Sequence, residues 1–414
     1  MRSFTSIVFL AAVLPLRAAA PPNPIPGASV ATARLANGAT LVLRSVPAAP
    51  VTVVDLWVRA GASDDRGSGA AHALEHMAFK GAKDTPGERI DAAIEETGGI
   101  VSAATLPDAT HYWASVSPEG AVQVIQTLPR ILHEPALDTE VWERERKVIL
   151  EEIDRAGADA EAEARHALAA KLYGPFASPA SGTADAIRAL TPEAIRSFHR
   201  RCYRPDRIVM VVTGRFDIER IQKAARDALT ALPAASGISG APVDAVPAPI
   251  ARTANDRISR QGTVAIGMGF AIPGDGGPAL DIACTLLRTR LLESLSGIAG
   301  DVQVVHPWQR AQLITVVVTG PEVNADRIES TMKTAIAALG TGITDADLKA
   351  AVRKRQWTWW IDNESPTAQA RTLGLAVTLG DLDAATLATT RLSLLTADDV
   401  RTAANLAFRP VTGP

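Results

Sequence analysis

The chain has 414 residues, 47% hydrophobic and 21% charged, which fits a globular protein with two or three full-sized cores. A formal net charge of −3 gives no basic field for nucleic acid, and an aromatic content of only 4% argues against base-stacking platforms.

Residues 1–20 read as a signal peptide. Arg2 supplies the positive start, Phe4 to Leu16 a short apolar run, and Ala18-Ala19-Ala20 a small-residue cleavage site. Export to the periplasm or medium is therefore expected. The apolar run is too short for a comfortable membrane span, and no later segment reads as transmembrane. From there a hairpin is predicted over 31–46, turning at Asn37-Gly38, followed by a β-branched strand over 51–59. Gly67-Ser68-Gly69 precedes a predicted helix at 70–80, and a second helix at 87–97 stops at Gly98-Gly99. Strands are expected at 100–105 and 110–117, then several helices, then a strand at 207–213. Strands and helices without strict alternation predict an α+β fold, sheets covered by helices.

A segment rich in Pro, Gly, Ala and Ser over 233–249 reads as a linker between a first domain at 28–232 and a second at 250–414. The two sides echo each other. Thr191 to Pro205 and Thr396 to Pro410 share a Thr start, an Arg five residues on and an aromatic-Arg-Pro end. Pro118-Glu119 and Pro321-Glu322 each follow a strand-like run and open a helical pattern. The offsets, 205 and 203, keep nearly one register, which predicts two homologous α/β domains from a duplication. Cys202 and Cys284 lie far apart in sequence and read as isolated buried residues rather than a disulfide.

The chemistry concentrates in His72-Ala73-Leu74-Glu75-His76. Positions i and i+4 of a helix share a face, so both imidazoles reach one ion, and imidazole is a good zinc ligand. Glu75 falls on the same side, where a carboxylate can act as general base on an attacking water. The spacing H-x-x-E-H is the signature of inverted zinc peptidases. Surface histidines on an ordinary helix give the same five letters, so the flanking sequence must discriminate.

The run AHALEHMAFKGA at 71–82 resembles the pitrilysin family, which includes insulin-degrading enzyme and the mitochondrial processing peptidase. GGIVSAATLPDATHYW at 98–113, ERERKVILEEI at 143–153 and the stretch 173–217 are similar to later parts of the same family. The resemblance covers most of 30–220 and, more weakly, 257–410. It implies two homologous domains, each a mainly antiparallel sheet packed with helices, and a Zn2+ ion held by His72, His76 and Glu152. Glu151 is the competing ligand; it points about a hundred degrees away from Glu152 on a helix. Glu145, two turns earlier, is implied to orient a ligating histidine. Residues 100–105 are implied to accept peptide substrate as an added strand, with Ser102 and Ala103 in contact. Ser102 replaces the family's usual Asn and reaches less far to a peptide backbone.

Active members of the family also carry an Arg and a Tyr that stabilise charge on the scissile carbonyl. Aligned on Arg290, those positions fall on Ser296 and Gln303, and the only tyrosines of the chain are Tyr112, Tyr173 and Tyr203. Three readings follow: a zinc endopeptidase subunit completed by a homologous sister chain, a self-sufficient zinc peptidase, or a scaffold subunit with a vestigial metal site. The second domain has no H-x-x-E-H, and since the sequence ends at Pro414 it is expected to lack an edge strand that a partner could cover. On a helix, neighbouring Trp357, Trp359 and Trp360 cannot all face one core, which leaves at least one exposed or at an interface, against the alternative of core packing.

Overall fold

The computed structural model describes residues 23–82, 85–157, 159–233, 246–272, 274, 276–308, 310 and 312–408. Residues 1–22, which include the segment read as a signal peptide, most of the 233–249 segment read as a linker, and the last six residues lie outside them. In the first half the strands are β1 (Ala31–Arg34), β2 (Thr40–Ser45), β3 (Thr52–Val58), the short pair β4 (Gly81–Ala82) and β5 (Thr85–Pro86), β6 (Ile100–Thr105), β7 (Thr110–Val116) and β8 (Ile208–Gly214). Its helices are α1 (Ala62–Asp65), α2 (Ala70–Ala78), α3 (Gly87–Glu95), α4 (Ala121–His133), α5 (Thr139–Ala156), α6 (Ala160–Tyr173), α7 (Ala184–Ala189), α8 (Pro192–Cys202) and α9 (Ile218–Thr230). The second half has β9 (Thr253–Arg260), β10 (Thr263–Ala271), β11 (Asp301–Trp308) and β12 (Leu313–Pro321). Around these lie α10 (Gly277–Ser294), α11 (Ala325–Leu339), α12 (Asp345–Asp362), α13 (Pro366–Leu379), α14 (Asp383–Thr386), α15 (Ala388–Ser393) and α16 (Ala397–Phe408).

Six strands form the first sheet in the order β1-β2-β8-β3-β7-β6, with β2 and β8 parallel and the other pairs antiparallel. The second sheet, β11-β12-β10-β9, is wholly antiparallel. The fold is thus a two-domain mixture of sheets and helices, in agreement with the sequence. Asn37-Gly38 turns the first hairpin: Gly38 has φ +93°, and the Asn37 amide reaches the carbonyls of Leu229 and Leu232. One expectation is corrected. Among the described residues the second sheet has no counterpart of β8, but that strand is interior in the first sheet. In the second, β9 and β10 pair directly over eight residue pairs, so no slot is left at an edge.

Alternation along the central strands decides what each face buries. Val54, Leu56 and Val58 of β3 point to the helices of their own half, whereas Val53 and Trp57 point to Ala370, Leu373 and Ala376 of α13, from the other half. The second sheet repeats this in reverse. Val264, Ile266, Met268 and Phe270 face their own helices, and the small residues Ala265, Gly267, Gly269 and Ala271 form the groove in which α6 lies. A Cβ on Gly267 or Gly269 would come within 2.8 or 3.0 Å of Leu168 or Leu172. Each half therefore supplies the helix that covers the other half's sheet.

At one end the β6–β7 and β11–β12 hairpin tips meet. Arg310 donates to Asp64 Oδ2 at 2.9 Å through Nη1 and to Asp108 Oδ2 at 3.1 Å through its backbone N–H. The Arg310–Asp64 pair is buried on both sides. At the other end Asn23 accepts from Trp359 Nε1 and donates to Thr386 O, while Arg44 binds Pro24 O and Gln369. Trp357 is 43% exposed. Cys202 and Cys284 are both free thiols.

Candidate metal centre

The cluster begins with the start of α2. Gly67 (φ +84°) and Gly69 (φ +74°) adopt left-handed turns, and a Cβ on Gly69 would strike Ile187. Asp65 caps the turn by accepting from Gly67 N–H at 2.9 Å and Ala71 N–H at 3.0 Å. Its carboxyl is pushed up to about 6, chiefly by burial. On the helix that follows, Ala71, Leu74 and Ala78 are buried while His72, Glu75 and His76 turn toward β6 and α5.

Helix α5 is opened by Asp138, which accepts from the N–H groups of Glu140 and Val141. Trp142 and Ile149 anchor it in the core, and Glu145 and Glu152 stand three residues beyond each, on the side facing α2. Glu152 Oε2 lies 3.8 Å from His72 Nε2 and 3.5 Å from His76 Nε2. The ligand atoms of His72, His76 and Glu152 all fall within 4.8 Å of one another, the only such group of metal-binding type among the described residues. Glu151 is exposed and stands outside the group. Glu145 Oε2 approaches His76 Nδ1 at 3.4 Å and its other oxygen meets Lys80 Nζ at 3.1 Å, so His76 is held by one nitrogen with Nε2 turned to Glu152.

Two imidazoles and a carboxylate are a usual donor set for catalytic zinc. Ligand bonds of about 2.0–2.1 Å in a tetrahedron place donor atoms about 3.3 Å apart, close to the observed 3.5 and 3.8 Å. Burial, then the neighbouring His76, drives the His72 pKa down to about 4, so at neutral pH this imidazole is in its metal-binding form. His72 Nδ1 is buried without a hydrogen-bond partner. The residues present fit the ion.

Glu75 Oε2 accepts a 2.5 Å hydrogen bond from Thr105 Oγ1. Burial raises the Glu75 carboxyl above its ordinary range, and the Thr105 hydroxyl and His76 pull it partly back. Thr105 carries no motif and lies on β6, so nothing in the one-dimensional pattern pointed to it. Ser102 and Ala103 occupy the same strand, opposite Trp113 and Tyr112 of β7. The other edge of β6 has no partner among the described residues. Ser296 lies just beyond α10, and Gln303 sits on β11 with its amide donating to Asp301 Oδ2 at 2.5 Å.

This is a two-domain α+β protein with a His-His-Glu cluster beside an open strand edge. The family model of insulinase, peptidase family M16, matches residues 40–183, and that of the peptidase M16 inactive domain matches residues 189–355. The chain belongs to peptidase family M16. Mitochondrial-processing peptidase subunit beta of Neurospora crassa is 30% identical over 232 residues, 55% of this chain and 48% of that protein. An uncharacterized zinc protease of Mycobacterium leprae is 31% identical over 204 residues, 48% of this chain and 46% of that protein. The chain spans about half the length of these curated relatives in the match. Among solved structures, a protease from Helicobacter pylori superposes with TM-score 0.79 at 20% identity, over 93% of this chain and 97% of that one. The peptidase M16 inactive domain from Pseudomonas fluorescens gives 0.77 at 16%, over 92% and 95%. These two likenesses speak to the fold.

Proposed function

We propose that this chain is the metal-bearing subunit of an exported zinc endopeptidase acting on peptides or unfolded polypeptides. The observation that carries the reading is the convergence of His72, His76 and Glu152 next to a buried, hydrogen-bonded Glu75 at the foot of β6. His72, His76 and Glu152 hold the ion, and Glu145 fixes the orientation of His76. When bound, zinc supplies a Lewis acid for the scissile carbonyl and makes water a competent nucleophile at neutral pH. Glu75 takes the proton of the attacking water and returns it to the leaving amine. The open edge of β6 pairs with the substrate backbone, so Ser102 and Ala103 act mainly through their main-chain groups.

A tetrahedral oxyanion also needs positioned donors, and losing one costs about 10²–10³ in turnover. Ser296 offers no cation, and the Gln303 amide is engaged by Asp301. A homologous sister chain therefore supplies the Arg and Tyr; the Neurospora relative is itself named as a subunit. The test assays the purified chain, a sister chain carrying the pair, and their mixture on one unstructured peptide, with particle size measured in parallel. The mixture is expected to form a complex and to exceed either chain by at least about a hundredfold. Robust zinc-dependent cleavage by the isolated monomer would replace the two-chain reading with a self-sufficient peptidase. A zinc-loaded complex without activity would leave a scaffold. Cell fractionation tests export, the periplasm or medium being the expected compartment.

A further inference from the structure

The second half contains a cavity of about 490 Å³ between α10, β11, α12 and the segment from Asp381 to Leu392. Its place in the fold matches that of the metal cluster in the first half: a helix after a central strand, the edge strand, and the second α-helix after the edge hairpin. Its side chains are of another kind. Arg355 on α12 donates Nε–H to Asp281 Oδ2 at 2.6 Å, with its guanidinium 5.8 Å above the Trp359 ring. Arg391 donates to Asp381 Oδ2 at 3.1 Å, and the other Asp381 oxygen accepts from Ala384 N–H at 3.0 Å. Both carboxylates are thus engaged in holding arginines. No acceptor meets the Arg355 Nη atoms among the described residues. His306 Nε2, in the cavity wall, is buried with no hydrogen-bond partner. Burial lowers the pKa of this imidazole and disfavours its charged form, and the Nε2–H tautomer offers a donor to the cavity. Leu280, Ile314 and Leu392 provide apolar wall.

We propose that this cavity binds a small monocarboxylate with an apolar tail, its carboxylate between Arg355 and His306 and its tail against Leu280, Ile314 and Leu392. A guanidinium held at Nε presents two further N–H groups in the geometry a carboxylate accepts, and burying a polar atom such as His306 Nε2 without a partner is costly until one arrives. A cationic ligand would meet two guanidinium groups and acids already engaged. The C-terminus of a peptide and a free organic acid share the chemistry the site reads. The site needs no metal and is independent of the peptidase reading.

The experiment is calorimetric titration of the full chain, stripped of zinc so that the His-His-Glu cluster offers the carboxylate no ion. The probes are N-acetyl-leucine, its neutral amide, and the tripeptide Ala-Ala-Leu with a free or amidated C-terminus. Each acid is expected to bind at least tenfold more tightly than its amide. Arg355→Met should reduce that preference, and Ala388→Phe, which fills the cavity while keeping every charged group, should abolish binding with the melting transition retained. A tighter tripeptide identifies a peptide C-terminus as the source; a tighter N-acetyl-leucine identifies a free acid. Equal binding of acids and amides, no binding of either to the wild-type chain, or full binding by folded Ala388→Phe overturns the proposal.

Discussion

Glu75 stands under two opposed influences, burial that disfavours its charge and a Thr105 hydroxyl that favours it. Thr105→Val removes the second, so the Glu75 pKa rises further. A general base must be ionised, and the acid limb of kcat/KM for the active assembly should therefore move to higher pH, while zinc content stays unchanged. Glu75→Gln should keep zinc and abolish hydrolysis. Glu152→Ala should lose the metal and Glu151→Ala should keep it, read by metal analysis of the purified proteins; equal retention in both would dismiss Glu152 as the third ligand. The metal-free protein should also have a pH signature. His72 titrates at about 4 when folded, against an ordinary histidine value of 6.5, so the unfolded chain binds more protons between those values. Its contribution is whole above pH 6.5 and is lost as pH falls toward 4, about 3 kcal/mol over the interval. Denaturant midpoints of the metal-free chain at about pH 7 and about pH 5 should differ less in His72→Gln than in the wild type.

At the scale of elements, the contact of α13 with the first sheet turns on one missing side chain. Gly374 lies against the indole of fully buried Trp57, and a Cβ there would fall inside the ring's van der Waals shell. Helix propensity alone favours Ala over Gly by about 1 kcal/mol. Overpacking a filled core costs about 1–3 kcal/mol, and Trp57 is fully buried. Packing should win, and Gly374→Ala should unfold at lower urea concentration than the wild type. Gly157 closes α5 with φ −65° and meets nothing closer than 3.5 Å, so Gly157→Ala should leave the midpoint unchanged or raise it. A destabilised Gly157→Ala beside a neutral Gly374→Ala would contradict this account of the packing.

For the whole molecule, the exchange of α6 and α13 makes the halves mutually dependent. Expressed apart, each half leaves one sheet face bare, Val53 and Trp57 on the first and the Ala-Gly groove on the second. Fragments divided inside 234–245 should be soluble and folded when co-expressed and should co-purify, whereas either alone should aggregate. Two independently folded, non-associating fragments would refute the interlock. The buried Arg310–Asp64 pair adds a second tie at the hairpin tips. Arg310→Met takes the guanidinium from a buried carboxylate that keeps its bond to Gly61 N–H, so about 3–5 kcal/mol of stability should be lost, measured by denaturant unfolding.

The periodicities of 2 and 3.6 and the glycine punctuation made the hairpin at Asn37-Gly38, the strands near 52–58, 100–105, 110–116 and 208–214 and the helix bearing His72 and His76 legible in sequence, because those features are local. The i, i+4 histidines and the two-turn spacing of Glu145 and Glu152 were readable for the same reason, with the family resemblance joining the two helices. Only the tertiary structure decided the rest. The Thr105–Glu75 bond, the Arg310 bridge and the Arg355–His306 cavity join residues distant in sequence, and no local period records such a meeting. The composition of 233–249 suggested a boundary between halves, but not that each half covers the other. That exchange depends on which face of β3 and β10 a helix finds bare, and faces are defined only once the strands have paired.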